Sequence, residues 1–225
     1  MVRLTILSGF SLIAAACTTS GDQARSHADA TSADAPVVMP DPETQPRAII
    51  RTSAGDIIVE LAEDAAPITV ANFIAHAEAG HYDDGSFYRS VREDNERAGV
   101  DPMSLIQGGH VFSGYPDAEP IAHESTLETG LTHQRGAISM GRFDPGTATS
   151  EFFIMVHDYP GLDAGPGGRN PDEQGYAVFG QVVEGMEVVE TIWMSPTSVA
   201  LAPEDFAFPQ FIDDPVVIET VVIED

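Results

Sequence analysis

The amino-acid sequence predicts a mainly β protein, a closed antiparallel barrel capped by two helices. Three observations carry that reading. Short runs of alternating apolar and polar residues recur through the chain, and only two stretches hold a helical period. Glycines and prolines, 20 and 16 of the 225 residues, separate the runs. Many strands with one helix early and one late suit a barrel better than a layered sheet. Periodicity leaves the closure itself open.

Order begins at RAIIRTSAGDIIVEL, residues 47–61, where two alternating runs flank Ser53-Ala54-Gly55-Asp56 in a hairpin pattern. A helix follows in APITVANFIAHAEAG, residues 66–80, with Pro67 suited to its first turn and Gly80 to its stop. Val70, Phe73, Ile74 and Ala77 recur at helical spacing, so this helix lays one face on a core. Strands are expected at Phe87–Val91, Leu105–Gly108, Ala137–Met140, Phe152–Val156 and Ala177–Val183. EGMEVVETIW, residues 184–193, reads as the second helix and PVVIETVVIE, residues 215–224, as a closing strand. In GSFYRSV, residues 85–91, alternation sets Phe87, Arg89 and Val91 on one face and Tyr88 and Ser90 on the other. A guanidinium that never loses its charge then shares a side with two large apolar groups.

Composition narrows the function. The chain has no lysine, so all ten of its basic residues are Arg, against 36 Asp and Glu, for a net charge of −26. Such a field repels phosphates, which excludes nucleic acid and an anionic bilayer surface as partners. Residues 1–16, MVRLTILSGFSLIAAA, hold one Arg, a short apolar run and small residues at the end. The run is too short to span a membrane as a helix and is expected to be an export signal. Cys17, the only cysteine, follows at once, and IAAAC resembles the lipobox of bacterial lipoproteins, in which that cysteine is lipidated. Ordinary secretion with a stray cysteine is the alternative. Residues 17–46, rich in Ala, Ser, Thr, Asp and Pro, are expected to form a disordered tether, and residues 47–225 one domain.

Four segments resemble the cyclophilin-type peptidyl-prolyl isomerases: FYRSV, IQGG at 106–109, ISMGRFDPGTATSEFFI at 138–154 and GYAVFGQVVEGMEVVETI at 175–192. Each alone is weak, while their order and spacing together are specific. The resemblance implies an eight-stranded antiparallel barrel with two capping helices. It also implies catalysis of cis–trans isomerisation at X–Pro bonds, with no metal or cofactor. Arg89 matches the family arginine that projects into a groove beside an apolar proline pocket. FYR alone is read equally well as an arginine that caps or pairs on the barrel surface. Gln107 matches the glutamine that hydrogen-bonds the substrate backbone and steadies the arginine. Phe153 matches the pocket floor and Leu162 its wall, while Phe152 alternates to the core. Met140, Gly141 and Arg142 match a stretch lining the groove.

The departures fall around the pocket. The link between Arg89 and Gln107 is longer than usual. The aromatic expected before the glutamine is Ser104, with Leu105 beside it and Met103 within reach of substituting. Glu151 stands at the glutamine before Phe-Phe, Gly161 at a frequent Trp and Tyr176 at a frequent His. His76 and His81, five apart, do not stack on one helix face as a zinc pair does, and read as solvated helix-end residues. Residues 163–175 lack the EF-hand ligand order and read as a surface loop. The expected function is an exported isomerase. It would act on X–Pro bonds of proline-containing unfolded or flexible polypeptides in the cell envelope and touch the membrane only through its lipid anchor. It is placed on the periplasmic side, at the outer membrane, with a soluble periplasmic protein as the alternative. The functional alternative is a proline-peptide binding module or holdase chaperone with little turnover.

Overall fold

The computed structural model describes residues 45–96, 99–110, 118–204 and 206–224. The expected signal segment, Cys17 and most of the tether fall in residues 1–44, outside the described residues. The Gln45 side chain bonds the Glu63 amide and the Asp64 carboxylate.

The first two runs pair as β1 (Arg47–Thr52) and β2 (Gly55–Leu61), and Thr52 closes the turn by donating its hydroxyl to the Gly55 carbonyl at 2.7 Å. Helix α1 (Pro67–Glu78) has Pro67 in its first turn and buries Thr69, Val70, Phe73, His76 and Ala77. Its first turn carries no acid of its own. Glu124 supplies one from far along the chain, accepting from the Ile68 and Thr69 amides at 3.0 and 2.7 Å and the Thr69 hydroxyl at 2.6 Å. That satisfies orphan amides and sets a negative charge against the positive end of the helix.

The remaining strands are β3 (Gly85–Val91), β4 (Leu105–Gly109), β5 (Ala137–Met140), β6 (Phe152–Met155), β7 (Ala177–Glu184), β8 (Thr197–Ser198) and β9 (Phe211–Glu224). All pairings are antiparallel, in the order β1-β2-β7-β5-β6-β4-β3-β9, and β9 returns to β1. Eight strands therefore close a barrel, as expected, and β8 is a two-residue addition on β9. Helix α3 (Met186–Trp193) is the second expected cap. It begins two residues later than the sequence pattern indicates. Glu184 still belongs to β7, and Gly185, at φ 88°, turns strand into helix in a conformation a side chain would strain. Two further differences arise where no period exists. Thr126–Thr129 forms a one-turn helix, α2, through a Ser125–Glu128 capping box, and β9 starts at Phe211 rather than at residue 215.

The barrel interior is aromatic. Phe152 is fully buried and meets the rings of Phe73, Tyr82 and Phe87 edge-on at 5.7, 5.5 and 5.7 Å. Gly108 is required beside them, because a Cβ there would sit 2.9 Å from the Phe87 ring. A second apolar cluster, built on Val91, Met103, Leu105, Phe153, Met155 and Leu162, is separate from this core.

The expected alternation in β3 is corrected by a bulge. Phe87 pairs with Gly108 and Arg89 with Gln107, so the register shifts by one residue at Tyr88. Phe87 joins the interior, whereas Val91, paired with Leu105, belongs to the second cluster. Arg89 thus shares its face with Val91 but not with Phe87.

Because Phe152 packs on three rings, Phe152→Ala is expected to lower unfolding free energy by about 3–5 kcal/mol. Urea denaturation of purified protein measures it, and a loss below about 1 kcal/mol would mean the barrel centre is not where the fold is held.

Candidate active site

Three adjacent strands present three side chains on one face. Arg89 on β3 lies opposite Gln107 on β4, and Gln107 lies opposite Phe153 on β6. Directly opposed residues place their Cβ atoms about 4.5–5.5 Å apart. A cation, an amide and an aromatic ring therefore stand side by side. Nη1 of Arg89 donates to Gln107 Oε1 at 2.9 Å. Burial pulls the Arg89 pKa below the ordinary arginine value, while the nearby Tyr88, Glu96 and Tyr176 act to raise it. It stays charged at neutral pH.

Beside the cation lies the second apolar cluster. Phe153 is 4% exposed, with Leu105, Leu162, Val91 and Met103 packed around it. Met103, from the longer link between β3 and β4, is a buried member of this cluster. Tyr176 meets Phe153 edge-on at 5.3 Å, and the buried His133 stacks on Phe153 at 5.8 Å while meeting the Tyr176 ring edge-on at 6.5 Å. His133 is held in turn by the Asp163 carboxylate at 2.7 Å and the Ser139 hydroxyl at 3.1 Å. The order Ser–His–Asp resembles a nucleophilic triad, yet Ser139 is wholly buried and His133 is 1% exposed. No substrate carbonyl reaches that hydroxyl, and the three brace the aromatic ring instead.

Two of the expected groove residues turn elsewhere. Met140 packs in the barrel interior, one step out of phase with the outer face. Arg142 spends its guanidinium on the rim, bonding Asp172 at 2.9 and 3.0 Å, the Phe143 carbonyl at 2.9 Å and the Gly175 carbonyl, with its carbon 5.2 Å from the Tyr176 ring centre. It ties the loop 163–175 to Tyr176 and has no donor left for a peptide. Gly141 stays on the rim, its amide donating to the Glu151 backbone carbonyl at 2.7 Å. Tyr159 fills the space above Gly161, where a Cβ would come 2.6 Å from its ring. Its hydroxyl bonds the Asp101 carbonyl at 3.1 Å, and Arg169 reaches Glu96 at 2.8 Å, joining the two loops.

Sequence reasoning missed Gln210 and Phe206. Gln210 Oε1 accepts from Arg89 Nε and Nη2 at 3.0 and 2.6 Å, and Phe206 lies 5.4 Å from the guanidinium carbon. The available signal was three phenylalanines, Phe206, Phe208 and Phe211, in a stretch with no period. The histidines at the end of α1 also differ from expectation. His76 is buried rather than solvated, its Nδ1 2.8 Å from that of His81, and burial lowers its pKa. Hollows of about 520 and 420 Å³ open elsewhere, and neither is lined by Arg89, Gln107 or Phe153.

Glu151 is a carboxyl with a raised pKa beside β3. It accepts the Tyr88 hydroxyl at 2.6 Å, and burial pushes its pKa from 4.5 up to about 7, against the hydrogen bonds from Tyr88 and the His110 backbone. A folded pKa above the unfolded one means that ionisation disfavours folding. The penalty is absent below about pH 4.5 and complete above about pH 7, at roughly 3 kcal/mol. Glu151→Gln, which keeps an acceptor for Tyr88, is therefore expected to match wild type in acid and to exceed it in melting temperature above pH 7. Parallel melting curves from pH 4 to 9 test this; a constant difference across that range would contradict it.

Comparison with known proteins agrees with this fold. A family model described as cyclophilin type peptidyl-prolyl cis-trans isomerase matches residues 47–220. A peptidyl-prolyl cis-trans isomerase of Streptomyces antibioticus is 36% identical over 176 residues, covering 77% of this chain and 96% of its own length. Peptidyl-prolyl cis-trans isomerase B of Escherichia coli is 35% identical over 145 residues, covering 63% of this chain and 80% of its own. The crystal structure of a cyclophilin type isomerase from Cryptosporidium parvum superposes with a TM-score of 0.60 at 23% identity, over 80% of this chain and 98% of that one. A second structure of that protein was determined in the presence of the dipeptide Ala-Pro. Barrel, family model and bacterial relatives agree, and the chain belongs to the cyclophilin-type peptidyl-prolyl cis-trans isomerases.

Proposed function

We propose that Arg89 is the catalytic group and that Gln107, Leu105, Phe153, Leu162, Tyr176 and the Gly141 rim receive the proline-containing peptide. The observation that carries this is the register of β3, β4 and β6, which sets Arg89, Gln107 and Phe153 in one row across the outer face. The Ala-Pro present in the Cryptosporidium structure supports the same class of ligand. An X–Pro amide resists rotation because the nitrogen lone pair is delocalised, with a barrier of roughly 18–20 kcal/mol. In the twisted state that lone pair is localised and accepts a hydrogen bond, which Arg89 donates. The apolar cluster holds the ring while Gln107 bonds the backbone. Only the twisted state gains from the donor, so the barrier falls without a covalent intermediate or proton transfer.

The clients proposed are flexible polypeptides of the cell envelope, whose folding the enzyme assists. The apolar leader at 1–16 and the AAAC junction at Cys17 support export and acylation, with residues 18–46 as the tether. A single acyl chain binds a bilayer only marginally, so stable anchoring takes more than one, as in bacterial lipoproteins. Thr18 after the cysteine is not the Asp that retains such proteins at the inner membrane, which supports the outer membrane.

Arg89→Ala is expected to lower kcat/KM at least ~100-fold, read by cis-to-trans rates of an X–Pro peptide. Arg89→Lys keeps the charge and stem without the fork and is expected to be nearly as slow, so an unfolded Ala variant leaves a test standing. A wild-type rate in either folded variant would remove Arg89 from the chemistry. Cys17→Ser is expected to release the protein from the membrane fraction or leave its leader uncleaved. A soluble, unacylated wild type beginning downstream of Cys17 would overturn the anchor.

A further inference from the structure

Arg89 has five N–H donors and no acceptor. Three donors are engaged, one by Gln107 and two by the single oxygen of Gln210, leaving one hydrogen on each terminal nitrogen. Gln210 is 1% exposed, in the segment between β8 and β9. Its amide orientation is determined from both ends. Nε2 donates to the Asn95 carbonyl at 3.2 Å, and a carbonyl only accepts, so Oε1 must face the guanidinium. The backbone is pinned as well, since the amide of Ser90, next to Arg89, donates to the Gln210 carbonyl at 2.9 Å. Asn95 belongs to the longer link after β3 and bonds the Ser90 carbonyl at 3.0 Å. Phe206 lies over the guanidinium and is braced edge-on by Phe211 at 5.1 Å. Cation and ring attract each other in such an arrangement.

We propose that Gln210 is a positioning residue for Arg89. It locks the Nε–Nη2 edge, so that the remaining two hydrogens are presented to the prolyl nitrogen rather than swept through the arc that the Gln107 bond alone permits. This rests on the reading of Arg89 as the catalytic group. Gln210 touches no substrate, so its effect passes through Arg89. Orientation of a donor acts on the chemical step more than on ground-state binding.

The test uses purified full-length protein, an X–Pro peptide and separate kcat and KM. Gln210→Met, of similar volume and without an acceptor, is expected to lower kcat roughly 10-fold and to change KM less than about twofold. Gln210→Glu, which keeps an accepting oxygen, is expected to regain most of the loss. In an Arg89→Ala background, Gln210→Met is expected to change the residual rate by less than about twofold, because its route is already gone. In wild type, the Arg89 Nε–H resonance is expected to exchange slowly with solvent. A folded Gln210→Met with wild-type kcat overturns the proposal, as does an equal loss of rate when Arg89 is already Ala. An Nε–H that exchanges as fast as free arginine overturns it even if the Met variant fails to fold. A wild-type rate in Arg89→Ala sinks the catalytic reading of Arg89 together with this one, whereas a slow Arg89→Ala beside a normal Gln210→Met sinks this proposal alone.

Discussion

A closed barrel gives every strand two partners, and β3 meets both β4 and β9 with a register shift at Tyr88. That residue changes the phase of the strand. Before it, Phe87 fills the interior; after it, Arg89 and Val91 face outward beside Gln107 and Leu105. Without the shift, the guanidinium would enter an aromatic core, where an unpaired cation is expelled by several kcal/mol. The row of Arg89, Gln107 and Phe153 therefore follows from one backbone irregularity. Tyr88 itself is anchored by giving its hydroxyl to Glu151.

The loops complete what the strands begin. The link after β3 provides Met103 to the apolar cluster, Asn95 to the amide network and Glu96 to Arg169. The loop before β7 is tied down by Arg142 through Asp172 and Gly175. In a chain with −26 net charge, these arginines are held by specific carboxylates and carbonyls rather than by a diffuse positive field. The arginine fork suits such sites, because several fixed donors meet planar acceptors.

Much of the fold was legible because it rests on short-range pattern. Period-two runs marked all eight barrel strands, and helical spacing marked α1 and α3. Alternation set Phe152 and Phe153 on opposite faces, and the family resemblance indicated which of them faces the pocket. The bulge was not legible, since a register shift leaves the composition of β3 unchanged and shows only in its pairing. Met140 and Arg142 sit next to the groove in sequence but turn to the interior and to Asp172, choices that strand phase and a distant loop decide. Gln210 was hidden for the same reason. It approaches Arg89 from 121 residues away, through a segment with no period at all.

The pairing of β1 with β9 joins the first described strand to the last, with Arg47 opposite Glu224. Neither edge of the barrel is satisfied until the final strand is in hand, because β9 also covers the free edge of β3. Contacts of such long sequence separation form late and fold slowly. A growing chain therefore cannot complete this barrel from its leading end.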